Sequence, residues 1–240
     1  MDQNRQIISE RKIRNRVSAD EQMAENIEAA VGIFRFLDLE YAVFGSCGIQ
    51  TYFDCFFQLP NDLDVIVRRG DVDKLRSYCA ENGHEFVEEV GRSKIFINAF
   101  PVQIIPEWFT ALDKSIDAVF GRIDLSGFIS DSVTNYVKLV SASSTPKINV
   151  LPVEMCLFLD LIRTIYTNSL MRVYFVFRHL EIDHKKFGSI IENNSVFTAT
   201  ILQRLDGYIL KLNAISHFSK DDILIAQSKI AELRRHIGGA

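Results

Sequence analysis

Cysteine is scarce and unpatterned: the 240-residue chain has four, at positions 47, 55, 79 and 156, and no two form a Cys-x-x-Cys pair. That spacing offers neither a disulfide frame nor a zinc site. Because the four fall mostly in apolar runs, they are expected to be buried thiols in a reducing compartment. Long hydrophobic runs are missing too. No uninterrupted apolar stretch approaches the ~18 residues of a membrane helix, and the first twenty residues, MDQNRQIISERKIRNRVSAD, are too charged for a signal peptide. A soluble, cytoplasmic protein is the expectation. Positive charge is not in excess, since the formal net charge is −4, and a large duplex-binding surface is therefore disfavoured. The five histidines show no His-x-x-x-His spacing, and there is no Ser-His-Asp constellation, P-loop lysine signature, internal repeat or low-complexity segment.

What is present is a 48% hydrophobic composition, enough for one good core or two modest ones. Residues 1–17 are expected to form a polar tail or a loosely held helix. Ser18 with Glu21 then makes a capping box before a long helix whose Met23, Ile27, Val31 and Phe34 share one face. YAVF (41–44) predicts a strand that ends in Gly45-Ser46 and turns into a helix at about 47–57, and LDVIVR (63–68) predicts a second strand. A helix over 71–82, stopped by Gly83, is followed by the strand-like runs HEFVEEV, SKIFINA and PVQII. EWFTALDKSIDAVF (107–120) has helical spacing, and INVL (148–151) is the clearest strand in a mixed stretch.

The expected fold class is α+β, a mixed sheet with flanking helices followed by a helical domain. The divisions are a tail over 1–17, a core over 18–150 and a helical domain over 151–240, with helices at 152–167, 169–181, 184–193, 196–216 and 220–237. In the last two, Ile201, Leu205, Tyr208, Leu212 and Ile215, then Ile223, Ala226, Ile230, Leu233 and Ile237, alternate three and four. The spacing fits a hairpin closing its own core or a homodimer contact through the seam.

The chemistry concentrates in FGSCGIQTYFDCFFQLPNDLDVIV, residues 44–67. Residues i and i+2 of a strand share a face, so Asp62 and Asp64 present two carboxylates side by side while Leu63 and Val65 turn into the core. The like charges repel unless divalent cations sit between them. Magnesium suits hard oxygen ligands shared with phosphate, and paired metals are a usual clamp for displacement at phosphorus. Gly45 and Gly48 permit close backbone approach, exposed amides at a helix start bind phosphate, and the Ser46 hydroxyl adds a donor.

Phe44-Gly45-Ser46, a spacer, and Asp62-Leu63-Asp64-Val65 resemble the signature of the nucleotidyltransferase superfamily that includes polymerase β. The spacer, 47–61, is slightly longer than usual. VLPVE (150–154) looks like the entry to the helical domain of such proteins. The layout PVQIIP, VLPVE and RHLEIDHKKFGSII (178–191) is similar to bacterial nucleotidyltransferase-like proteins related to abortive-infection toxins, over roughly residues 20–195. The resemblance implies transfer of a nucleoside monophosphate from a nucleoside triphosphate to a hydroxyl or phosphate acceptor, which a small molecule, a tRNA end or a protein would supply. It implies Asp62 and Asp64 as metal ligands, Mg2+ as cofactor, and Gly45 and Ser46 on the triphosphate.

The resemblance also implies a third carboxylate on the strand PVQII, where this chain has Gln103. Glu107, beyond Pro106, and Asp124, on a later segment, are the acids that would substitute. With a neutral group there, the alternative to an enzyme is a catalytically degenerate nucleotide-binding or interaction protein of the same fold. Arg68, Arg69, Arg92 and Lys94 flank the site in sequence, either as triphosphate ligands or as basic residues at solvated strand ends. Trp108 and Phe109 fit a core position or a base-stacking platform.

Overall fold

The structure, a computed structural model, describes residues 2–53, 60–89, 92–113, 118–139, 141–162, 167–213 and 218–239, and their side chains except in 2–18, 108–124, 126 and 167–169. In chain order the elements are α1 (Asp2–Phe36), β1 (Tyr41–Phe44), α2 (Gly45–Gln50), β2 (Leu63–Val67), α3 (Asp71–Asn82), β3 (Phe86–Glu89), β4 (Arg92–Ile97), β5 (Phe100–Pro106), β6 (Trp108–Asp113), β7 (Ala118–Asp124), α4 (Ser126–Ser130), β8 (Val133–Tyr136) and β9 (Lys147–Val150). They continue with α5 (Val153–Ile162), α6 (Thr167–His179), α7 (His184–Asn193), a 3-10 turn (Ser195–Phe197), α8 (Thr198–Leu212) and α9 (Lys220–Gly238). Two compact units result, one from Met1–Glu107 with Ile129–Val150, the other from Trp108–Phe128 with Leu151–Ala240.

Alternation along the strands decides the layering of the first unit. Its seven-stranded sheet has the order β3-β4-β5-β2-β1-β9-β8. It is mixed: β2 runs parallel to β5 and β1 to β9, and the other neighbours are antiparallel. Every second residue of the central strands, namely Tyr41 and Val43, Leu63, Val65 and Val67, Val102 and Ile104, Ile95 and Ile97, joins one core. That core is closed by Ala24, Ile27, Val31 and Phe34 of α1 and by Leu75 and Cys79 of α3. The period of two leaves Asp62, Asp64, Gln103, Arg92 and Lys94 on the opposite face. The α+β class, with a helical region after the sheet, is as expected.

The N-terminal segment corrects an expectation. α1 starts at Asp2 and passes through Ser18 without a break, so the Ser18-Glu21 pair does not cap a helix start. The residues ahead of it are rich in Gln, Arg, Glu, Lys and Ile, which extend a helix without a boundary signal. The acids there find other donors: Asp20 accepts from the Ser141 backbone N–H at 2.9 Å, and Glu21 from the Ser143 N–H at 2.7 Å. The expected helix over 107–120 is also wrong. It is the antiparallel hairpin β6–β7, with Trp108 opposite Asp124 and Asp113 opposite Ala118. WFTAL and AVF satisfy a two-residue period as well as a helical one, and short apolar runs do not separate the two.

In the second unit the apolar seams of α8 and α9 are buried within the chain, from Ile201 to Leu212 and from Ile223 to Ile237, which is the intramolecular of the two readings. Asp183 caps α7 and Ser219 caps α9, each accepting from backbone N–H groups of the first turn. No described helix is long and apolar enough to cross a membrane.

Asp160 of α5 is buried and takes a fork of two hydrogen bonds from Arg172 of α6, each 2.9 Å. Removing one partner of a buried pair leaves an uncompensated charge. Arg172→Met should therefore lower the unfolding free energy by about 3–5 kcal/mol in a urea titration followed by circular dichroism. A loss below about 1 kcal/mol would mean that the pair holds little.

Candidate functional site

β1 hands over to α2 with no connecting residue, because Phe44 is the last strand residue and Gly45 the first of the helix. Gly45 has φ +66, the left-handed region that side chains avoid. A Cβ placed on it would meet Asp64 Oδ2 at 2.1 Å. The carboxylate of Asp64 therefore lies directly against the backbone of the turn, in the volume a side chain would fill. The register agrees, since Phe44 pairs with Asp64 across the antiparallel β1–β2 ladder. One turn on, a Cβ at Gly48 would meet the Val43 carbonyl oxygen at 3.0 Å and Val150 Cγ2 at 3.2 Å, so α2 beds down on β1 and β9. Ser46, half-buried, sits between them in the first turn.

Asp64 is only 4% exposed, an expensive place for a carboxylate. Its electrostatic reach is visible in Cys47. Burial raises that thiol first, then the charges of Asp64 and Asp62, and together they push it up to about 12. Both acids thus act on the first turn of α2. Cys47 is a neighbour that sequence reasoning took only as one of four buried thiols; its place right after Gly45-Ser46 was the available signal. Cys79 and Cys156 are buried free thiols as well.

Across the sheet Asp64 pairs with Gln103 and Gln103 with Lys94, so three side chains form a row on neighbouring strands, ~4.8 Å per step. Gln103 is bound at both ends. Its Nε2 donates to Asp62 Oδ2, and its Oε1 accepts from Arg92 Nη1 at 2.8 Å. Arg92 Nε donates to Glu89 Oε2 at 2.6 Å, and Lys94 Nζ donates to the other oxygen of Glu89. The Lys94 and Arg92 bonds, in that order, hold Glu89 below its ordinary carboxylate value. Glu89 was not foreseen, although it faces Arg92 across the β3–β4 ladder.

The residues expected at the site are therefore gathered, with the exception of Arg68 and Arg69. Asp62, Asp64, Gln103 and Lys94 form a row across β2, β5 and β4, beside Gly45 and Ser46. Arg68 lies past the other end of β2, roughly 13 Å along the strand from Asp64. There it bonds Glu40 at 2.8 Å, Glu107 at 3.0 Å and Ser130 Oγ at 3.2 Å. The same bonds hold Glu107 at that end, away from Gln103, and Arg69 follows Arg68 there. The side chains of Trp108, Phe109 and Asp124, and all of Cys55, lie outside the described residues.

Among the described residues no group of three His, Cys, Asp or Glu is placed to hold a metal. The donor set at the turn is two carboxylates on one face. Magnesium is usually held by one or two carboxylates with substrate phosphates and water completing the shell, and the two aspartates fit one such ion.

No family model and no curated protein matches the chain. Solved structures with a similar fold include a lincomycin-bound lincosamide antibiotic adenylyltransferase, LnuA, at 11% identity and TM-score 0.44, spanning 62% of this chain and 92% of the other. A second is the antibiotic-resistance factor ANT(2'')-Ia, at 11% identity and TM-score 0.39, spanning 93% and 99%. A third is an antigenic nucleotidyltransferase-like protein from Paracoccidioides brasiliensis, at 10% identity and TM-score 0.40, spanning 88% and 93%. Likenesses at these scores carry no weight for function, which rests on the chain's own residues.

Two outcomes test the geometry. Gly45→Ala should cost about 2–5 kcal/mol in equilibrium denaturation, from left-handed strain plus overpacking against Asp64. At pH 8 Cys47 should resist iodoacetamide in the native protein and react in urea, as read by peptide mass mapping, because a thiol raised to about 12 has almost no thiolate there. The same shift ties folding to alkali: native Cys47 keeps its proton when the unfolded thiol, near 9.0, has lost it. Its contribution is full below pH 9 and declines as pH rises from 9 towards 12.

Proposed function

We propose that the chain is a magnesium-dependent nucleotidyltransferase, moving a nucleoside monophosphate from a nucleoside triphosphate to an acceptor with pyrophosphate leaving. The observation that carries this is the seating of the Asp64 carboxylate on the bare Cα of Gly45, with Asp62 close by, where Gln103, the strand partner of Asp64, donates to it. Two adjacent acids beside a tight turn are unfavourable without a cation, and the turn's amides with the Ser46 hydroxyl are donors for phosphate oxygens. When bound, magnesium would neutralise triphosphate charge and the charge gathering on the departing pyrophosphate.

Each side chain then has a defined task. Asp62 and Asp64 would hold the ion. Gly45 and Ser46 orient the triphosphate, and Lys94, two strands from Asp64, adds positive charge on the same face. Gln103 stands where a third carboxylate would take a proton, and an amide does not act as a base. An acceptor that is already ionised, such as a phosphate, needs no such base and suits this site better than a neutral hydroxyl. A small molecule, a tRNA end or a protein group would each present an acceptor of one of these kinds.

A second reading has its own observation. Gln103 offers its N–H to Asp62 instead of an oxygen to a metal, which favours a protein that binds nucleotide without turning it over. One experiment separates the two. Incubation with each nucleoside triphosphate labelled at the α-phosphate, with magnesium and with inorganic phosphate as an ionised acceptor, should release pyrophosphate and move the label onto that phosphate. Asp64→Asn should reduce transfer by roughly a thousandfold while circular dichroism stays unchanged. Binding without turnover for all four nucleotides supports the second reading, and no binding to any of them removes both.

A further inference from the structure

We infer that this site takes a single divalent cation, and that Arg92 enforces this as a positioning residue by turning the Gln103 amide. The inference rests on the cation site proposed above and concerns how many ions that site admits. A guanidinium has donors only, so the side of the amide facing Arg92 Nη1 at 2.8 Å must be its oxygen. The nitrogen is thereby directed at Asp62 Oδ2. The amide is thus bound at both ends, with its one ligating atom facing away from the aspartates.

Three consequences combine against a second ion. The third position supplies no oxygen to it. One oxygen of Asp62 is already engaged by an N–H. A fixed positive charge stands behind the amide, held in place by the hydrogen bond of Arg92 Nε to Glu89 at 2.6 Å. Glu89 in turn is held by Lys94, so Asp62, Gln103, Arg92, Glu89 and Lys94 form one continuous hydrogen-bonded line, with Gln103 donating at one end and accepting at the other. Exchanging a carboxylate for an amide beside an ion weakens that ion's binding by roughly a thousandfold per unit of its charge. Gln103 causes that loss, and Arg92 withholds the weak oxygen ligand that would remain.

The test counts ions and does not depend on turnover. Mn2+ is titrated into the full chain in the presence of inorganic tripolyphosphate, and free Mn2+ is followed by electron paramagnetic resonance, with the polyphosphate-only titration subtracted. The wild type should hold one Mn2+, and Asp64→Asn none. Gln103→Glu should hold two. Arg92→Met, which frees the amide to rotate, should bind a second Mn2+ at least tenfold more tightly than the limit set by the wild-type titration, whereas Arg92→Lys, which keeps a donor and a charge, should behave as wild type. Circular dichroism checks that each variant is folded, and Gln103→Glu tests the idea if Arg92→Met is not. Two ions on the wild type, or an Arg92→Met titration identical to wild type, overturns the inference and leaves the cation site standing. No Mn2+ on the wild type overturns the proposed cation site itself.

Discussion

Everything at the site depends on a side chain that is missing. The volume that a Cβ at position 45 would occupy is taken by the Asp64 carboxylate, and the left-handed backbone there turns the chain from β1 directly into α2. Strand, turn, helix and acid are thereby locked in one register, so that the amides of the turn and the charge of the aspartate are neighbours by construction. Gly48 repeats the device one turn later against Val43 and Val150. Side chains at these two positions would keep α2 from bedding against Asp64, β1 and β9.

The polar line that starts at Asp62 belongs to the same sheet but to a different logic. The strands behind it are buried by α1 and α3 through Leu63, Val65, Val102, Ile104 and Ile95. The pleat then leaves no freedom over where Gln103, Arg92 and Lys94 point. The core thus dictates the site: any shift of one residue in β5 would exchange Gln103 for the apolar neighbours that flank it. The charged groups add orientation rather than stability, since partly exposed ion pairs contribute little to folding.

Much of this was legible in the sequence where one physical rule governs. Alternation in LDVIV told which residues face the core. Gly45-Ser46 between a strand and a helix told of a tight turn, and Gly83 ended α3 with φ +71. The signal failed where two rules compete. EWFTALDKSIDAVF satisfies both a helical and a strand period, and only the pairing of Trp108 with Asp124 resolves it. A polar run such as 1–17 has no apolar face to mark it, although its residues favour helix. Partners distant in sequence left no trace either. That Arg68 would bond Glu40 and Glu107, or that Arg92 would fix the amide of Gln103, depends on which strands become neighbours, and local pattern does not specify that.

β2 is five residues long, and its two ends are built differently. At its entrance, acids gather against a turn; beyond its exit, a guanidinium is shared by two carboxylates and a hydroxyl on separate segments of the chain. The far end therefore acts as a clasp, drawing together the loop before β1, the exit of β5 and the end of α4, and its upkeep is independent of ligand chemistry. A substitution at the entrance therefore alters what the turn presents, while the clasp keeps the strand aligned behind it.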